Sequence, residues 1–119
     1  MITGKFPSLR LRRSRKRDWS RRLIQENNLT PNDFILPIFI IDGKNKKQPI
    51  KSMPDVYRYT LDKLSFVVDK AIKKKLPMVA LFPHTEIRKK NSLGSEALNE
   101  DNLVCRAIQL IKKKFKNEI

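Results

Sequence analysis

Two short runs of apolar residues, FILPIFII at 34–41 and MVALF at 78–82, set the tightest limit on what this chain can fold into. The first is β-branched and aromatic and ends at Asp42-Gly43; the second stops at Pro83. Such a run, bounded by turn residues, predicts a strand buried on both faces, as in a parallel sheet covered by helices. Two such strands do not complete a sheet. Both would be edges, and their apolar faces would lack partners. The chain is therefore expected to be the beginning of a larger α/β fold. Pro37 departs from the pattern inside the first run. Proline cannot donate to a ladder, so it should sit at a bulge or an unpaired position.

The segments around these strands alternate in period. Residues 18–27, DWSRRLIQEN, can form a short helix with Asp18 as N-cap and Trp19, Leu23 and Ile24 near one face. NLTPNDF carries turn chemistry. The stretch 44–60 holds two prolines and much charge; it reads as a loop with a short extended piece at Val56 to Tyr59. A helix then starts at Thr60 or Asp62, with Leu61, Leu64, Val68, Ala71 and Ile72 at helical spacing. Lys73 to Lys75 suit the negative end of its dipole, and Pro77 stops it. After a polar stretch, a last helix is expected from about Asp101 to Phe115. Leu103, Val104, Ala107, Ile108 and Ile111 share one face, and Asp101 or Asn99 is the expected cap. The order is arm, short helix, strand, loop, helix, strand, loop, helix, which implies a parallel sheet with covering helices.

Charge raises a competing reading. The 119 residues carry a net charge of +15, and nine basic residues against one acidic lie within 1–22. Residues 1–17 have no helical or strand periodicity and repel themselves, so they read as a basic N-terminal arm, with 18–119 as the folded portion. A field of this size attracts polyanions regardless of sequence. A basic nucleic-acid-binding module is therefore one alternative, with Trp19 as a candidate stacking residue; packing of Trp19 on the body is the plainer reading. No helix-turn-helix, zinc-finger or RNA-binding signature accompanies the charge. A non-catalytic assembly element is a second alternative. One cysteine excludes an internal disulfide and fits a reducing compartment. No apolar run approaches the roughly 20 residues that span a bilayer. The N-terminus lacks the apolar core of a secretory signal, and Asp18 and Glu26 interrupt a transit-peptide pattern. The expected location is the cytoplasm.

The residues supply little chemistry of their own. Three glycines, Gly4, Gly43 and Gly94, cannot build a phosphate cradle. His84 is the single histidine. It lies just past the second strand, on the side where barrel folds place function, although a lone loop histidine is ordinarily a solvated side chain. Cys105 sits among apolar neighbours on a helix and reads as a small packed side chain. Glu100 and Asp101 are adjacent and diverge, a poor acid/base pair. No catalytic, cofactor-binding or metal-binding residue is assigned.

Four segments carry a resemblance: RLRRSRKRDWSRRLIQENNLTPNDFILPIFI, QPIKSMPDVYRYTLDKL, LPMVALFP and GSEALNEDNLVCRAIQLIKKKF, in order over about residues 9–116. SMPDVYR and the GSEA…N.D.LV.RAI run are the most specific. Together they resemble the N-terminal third of the porphobilinogen synthases, also called delta-aminolevulinic acid dehydratases. In that family the residue after SMP is commonly Gly, where this chain has Asp55. The resemblance implies the start of a (β/α)8 barrel, its first two βα units, preceded by an extended arm that embraces a neighbour in a homo-octamer. It implies condensation of two 5-aminolevulinate molecules to porphobilinogen for heme and other tetrapyrroles. Lysine Schiff bases and zinc or magnesium serve that reaction in the complete enzyme. The family's Schiff-base lysines and metal cluster lie beyond the matched region, so none carries over. Every lysine here is expected in the arm, a loop or a helix end, where nothing desolvates it enough for Schiff-base chemistry. The chain by itself is expected to be inactive.

Overall fold

A computed structural model describes residues 3–10 and 12–119. Met1, Ile2 and Leu11 of the expected arm lie outside the described residues. Among the described residues of 1–17 there is one 3₁₀ turn, Arg13–Arg15, with no buried side chain in it. The first helix, α1, is Asp18–Leu23. It is shorter than the expected 18–27, and Arg17 rather than Asp18 occupies the cap position. Nothing covers its apolar side: Trp19 and Leu23 are 63% and 79% exposed. A short helix without tertiary cover gains too little to extend through Asn27 and Asn28. The plainer expectation for Trp19, packing on the body, is thus not met.

The body is a four-stranded sheet with two helices on one face. Its strands are β1 (Ile35–Ile40), β2 (Lys47–Pro49), β3 (Tyr57–Tyr59) and β4 (Met78–Pro83), in the spatial order β2-β3-β1-β4. β1 pairs in parallel with β4 from Ile35↔Met78 to Ile40↔Pro83, and with β3 at Phe39 and Ile40. β2 and β3 form an antiparallel hairpin. β2 is a correction to the expected loop. Its residues Lys, Gln and Pro have no strand propensity, and the hairpin exists because tertiary pairing overrides that preference. At the hairpin tip the Met53 N–H donates to the Ile50 carbonyl and the Ile50 N–H to the Val56 carbonyl, both at 2.9 Å. Asp55 there has φ of 61°. That left-handed conformation is one that glycine adopts more readily than aspartate.

The ladder also explains Pro37. The Ile41 N–H donates to the Tyr59 carbonyl, so Ile41 faces β3, and by the two-residue alternation Pro37 faces the same side. β3 reaches only Phe39 and Ile40 of β1. Pro37 therefore directs its missing donor at an edge with no partner strand in this chain.

The two helices, α2 (Leu61–Lys73) and α3 (Leu103–Phe115), pack on the sheet face formed by Leu36, Ile38, Ile40, Val79 and Leu81. Leu64, Val68 and Ala71 come from α2, and Leu103, Ala107, Ile111 and Phe115 from α3. The four-residue spacing of the α3 set gives a single stripe, which Phe115 completes. Ile108, expected in that stripe, is 46% exposed beside it. Thr60 starts α2 and is wholly buried; its hydroxyl accepts the Lys46 N–H at 3.0 Å, tying the hairpin to the helix. α3 begins later than expected. Its cap is Asn102, not Asp101 or Asn99: the Asn102 Oδ1 accepts the Cys105 N–H at 2.9 Å.

The opposite sheet face overturns the expectation of strands buried on both sides. Ile35, Met78 and Phe82 are about half exposed, and the Phe39 and Phe82 rings lie 5.5 Å apart with no layer above them. These residues alternate with the buried ones, so one strand face has found its helices and the other has nothing to pack on in this chain.

Candidate functional site at the C-terminal rim of the sheet

Because β1 and β4 are parallel, both chains leave the sheet at the same rim, as Ile41-Asp42 and His84-Thr85. The His84 N–H donates to the Ile40 carbonyl at 2.8 Å, extending the ladder one residue beyond β4. The long connection from β4 to α3 folds back over this rim through two 3₁₀ turns, Ile87–Lys89 and Ser95–Leu98. Gly94, at φ 63°, takes the left-handed bend before the second turn. A cleft of about 470 Å³ lies between the connection, the rim and the start of α3.

Four charged side chains converge there. Asp42 Oδ1 accepts from Arg106 Nη2 at 2.6 Å, which joins the end of β1 to α3. Lys89 Nζ lies 3.7 Å from Asp42 Oδ2 and 3.4 Å from Glu96 Oε1. Asn102 donates from Nδ2 to the Glu96 carbonyl at 3.4 Å while its Oδ1 caps α3. Sequence reasoning missed this group. Asp42 and Arg106 are 64 residues apart, and no local pattern marks such a pair.

The singled-out residues are placed as follows. His84 is on the cleft wall with its side chain exposed. Cys105 is half-buried on α3. Trp19 is on α1, and Glu100 and Asp101 are exposed, the Asp101 N–H donating to Asn99 Oδ1 at 3.0 Å. Lys47 corrects the expected distribution of lysines, since it opens a strand, β2. That strand is exposed, and Nζ lies 3.9 Å from the centroid of the Tyr57 ring, a cation–π contact. Two carboxylates are held below their ordinary range, both by local hydrogen bonds. The Thr30 N–H and then its hydroxyl lower Asp33, and the Thr60 hydroxyl and then the Asn45 N–H lower Asp62. Asp33 closes a capping box with Thr30, and Asp62 lies in the first turn of α2 and accepts the Asn45 N–H at 3.1 Å. Among the described residues no three His, Cys, Asp or Glu side chains gather closely enough to hold a metal ion.

The delta-aminolevulinic acid dehydratase family profile matches residues 8–119. The chain belongs to this family. A delta-aminolevulinic acid dehydratase from Bradyrhizobium diazoefficiens is 46% identical over 91% of this chain and 31% of its own length. One from Methanothermus sociabilis is 35% identical over 92% of this chain and 33% of its own length. Among solved structures, a Toxoplasma gondii delta-aminolevulinic acid dehydratase in complex with the product porphobilinogen superposes with a TM-score of 0.82. It is 34% identical over 92% of this chain and 31% of that chain. The chain thus spans about a third of the length of the dehydratases it matches. Its residues form a mixed α/β part of that fold, with the cleft at the strand ends.

Proposed function

We propose that this chain is the N-terminal portion of a porphobilinogen synthase, supplying the arm and the first two βα units of a (β/α)8 barrel. The whole assembly condenses two 5-aminolevulinate molecules, with loss of two waters, to porphobilinogen. The observation that carries this reading is the match of nearly the entire chain to about a third of a dehydratase with its product bound. The open apolar sheet face supports it. Ile35, Phe39, Met78 and Phe82 point where a barrel packs its interior. The unpaired edge at Pro37 is where the last strand of a barrel would meet the first.

The reacting amines belong to the rest of the barrel. Neither β1 nor β4 contains a lysine, and Lys47 lies on the exposed strand β2. The donors on this chain also do not fit a zinc or magnesium site. Cys105 and His84 are single, and Asp42 and Glu96 already carry Arg106 and Lys89. In this reading any metal of the complete enzyme is held by the rest of the barrel. What this chain contributes is wall, rim and arm.

The arm fits a role in a homo-oligomer. Trp19, Leu23 and seven arginines from Arg10 to Arg22 are exposed, a combination that can bury apolar surface on a neighbour and form bidentate pairs with its carboxylates. No helix among the described residues is long and apolar enough to cross a membrane, and a cytoplasmic setting belongs to the same reading. The test is complementation. Co-expressed with the remaining two thirds of a family member, the chain should yield porphobilinogen from 5-aminolevulinate, and alone it should yield none. A folded, complete assembly that makes no product overturns the reading.

A further inference from the structure

The connection between β4 and α3, residues 84–102, is attached to the body in an unusual way. Its largest apolar side chains, Ile87, Leu93 and Leu98, are all more than 80% exposed, so no hydrophobic anchor holds it down. Its internal ties are polar and local. Asn91 Oδ1 accepts the Ser95 N–H at 3.1 Å, and the two 3₁₀ turns close on their own carbonyls. Among the described residues, the side-chain link from the middle of this connection to the sheet is Lys89, reaching Asp42 at the end of β1. Asp42 is itself fixed by Arg106 on α3, at the base of the connection. Lys89 also holds Glu96 in the second turn, so one ammonium bridges the sheet rim and both halves of the connection.

We propose that residues 84–102 are a flap latched by Lys89 onto Asp42 and Glu96, which opens and closes the cleft at the C-terminal ends of β1 and β4. The physical basis is the contrast in attachment. The two ends are set by the ladder bond of His84 and by the Asn102 cap, both hydrogen-bonded into regular structure. The middle is held by partly exposed ion pairs, which are individually weak and are screened by salt. A segment with few buried apolar contacts and solvent-facing hydrogen bonds opens at low free energy while its flanking elements stay folded. Asp42 and Lys89 are positioning residues in this scheme. The use of the cleft rests on the family reading above, but the latch itself does not.

Hydrogen exchange on the 119-residue chain tests it. In Lys89→Gln, which leaves the Asp42–Arg106 bond in place, amides of 85–98 should exchange about two- to fivefold faster, and those of β1, β4 and α3 should be unchanged. Raising salt to about 1 M, where the screening length is about 3 Å, should accelerate the same peptides in the parent and do much less in the variant. Glu96→Gln should give a smaller effect of the same kind. Unchanged exchange at 85–98 in both variants overturns the proposal. So does acceleration spread equally over the strands, which means a merely structural role. Product formation in the complemented assembly reports separately on the family reading, so the two can fail independently.

Discussion

At the residue scale, Asp55 stands where the backbone makes a demand that aspartate meets poorly. Asp55 adopts a left-handed conformation at the tip of the β2–β3 hairpin, and aspartate tolerates this less well than glycine. Asp55→Gly should therefore stabilise the hairpin, by about 0.5–1 kcal/mol, read as a shift of the urea midpoint with unchanged slope. No gain, or a loss, means that the Asp55 side chain contributes something the backbone argument omits. Asp33 offers a pH test with a definite sign. Its carboxyl titrates below the reference of 3.8 because the Thr30 N–H and hydroxyl bind the ionised form. The capping interaction is thus present at neutral pH and persists above the ordinary value. It is lost only as pH falls through the lowered folded value. The Thr30 amide resonance should follow that lower midpoint, and Asp33→Asn should abolish the titration. A midpoint at or above 3.8 contradicts the hydrogen-bond assignment.

At the scale of elements, most of the regular structure could be read from periodicity and the rest could not, for identifiable reasons. The α2 and α3 stripes repeat at helical spacing, and both helices appeared where expected because burial on one face dominates their stability. The β1 and β4 runs were found because fully apolar segments of that length have few other fates. β2 escaped notice, since its Lys, Gln and Pro are recruited by pairing with β3 and by no preference of their own. The α3 cap moved to Asn102 because three candidate capping residues lie within four positions, and only tertiary packing of Leu103 chooses among them. The α2 stripe yields a further prediction. Leu64 is fully buried between α2 and the strands, so Leu64→Ala should destabilise the body by about 2–5 kcal/mol. Phe66→Ala on the exposed side of the same helix should change stability by about 0.5 kcal/mol or less. Chemical denaturation followed by circular dichroism separates the two, and equal effects would mean that the helix faces are misassigned.

For the whole molecule, size and surface both exceed those of a compact monomer. The radius of gyration is 22.3 Å, where a compact chain of this length has about 13–14 Å. The accessible surface is 10339 Å², against about 6,700 Å² for a compact monomer of this mass. The excess comes from the arm, from α1 with its bare Trp19, and from the open sheet face. An isolated chain with this much unsatisfied apolar surface should bind a hydrophobic dye and self-associate. The fluorescence of Trp19, the single tryptophan, should report a water-exposed indole in the isolated chain and, under the proposed function, shift to the blue when the remaining two thirds of a family member are supplied. A strictly monomeric chain that binds no dye runs against this expectation.

The sequence by itself determined the elements whose stability is a one-dimensional pattern: two apolar strands and two amphipathic helices. It also carried the family, through four ordered segments. Tertiary structure alone decided which strand face is covered, why Pro37 is tolerated, and that Asp42, Lys89, Glu96 and Arg106 meet at one rim. Helical and strand periods act between near neighbours and leave a trace in the sequence. An ion pair between residues 64 apart leaves none, because its geometry exists only after β1 and α3 have packed.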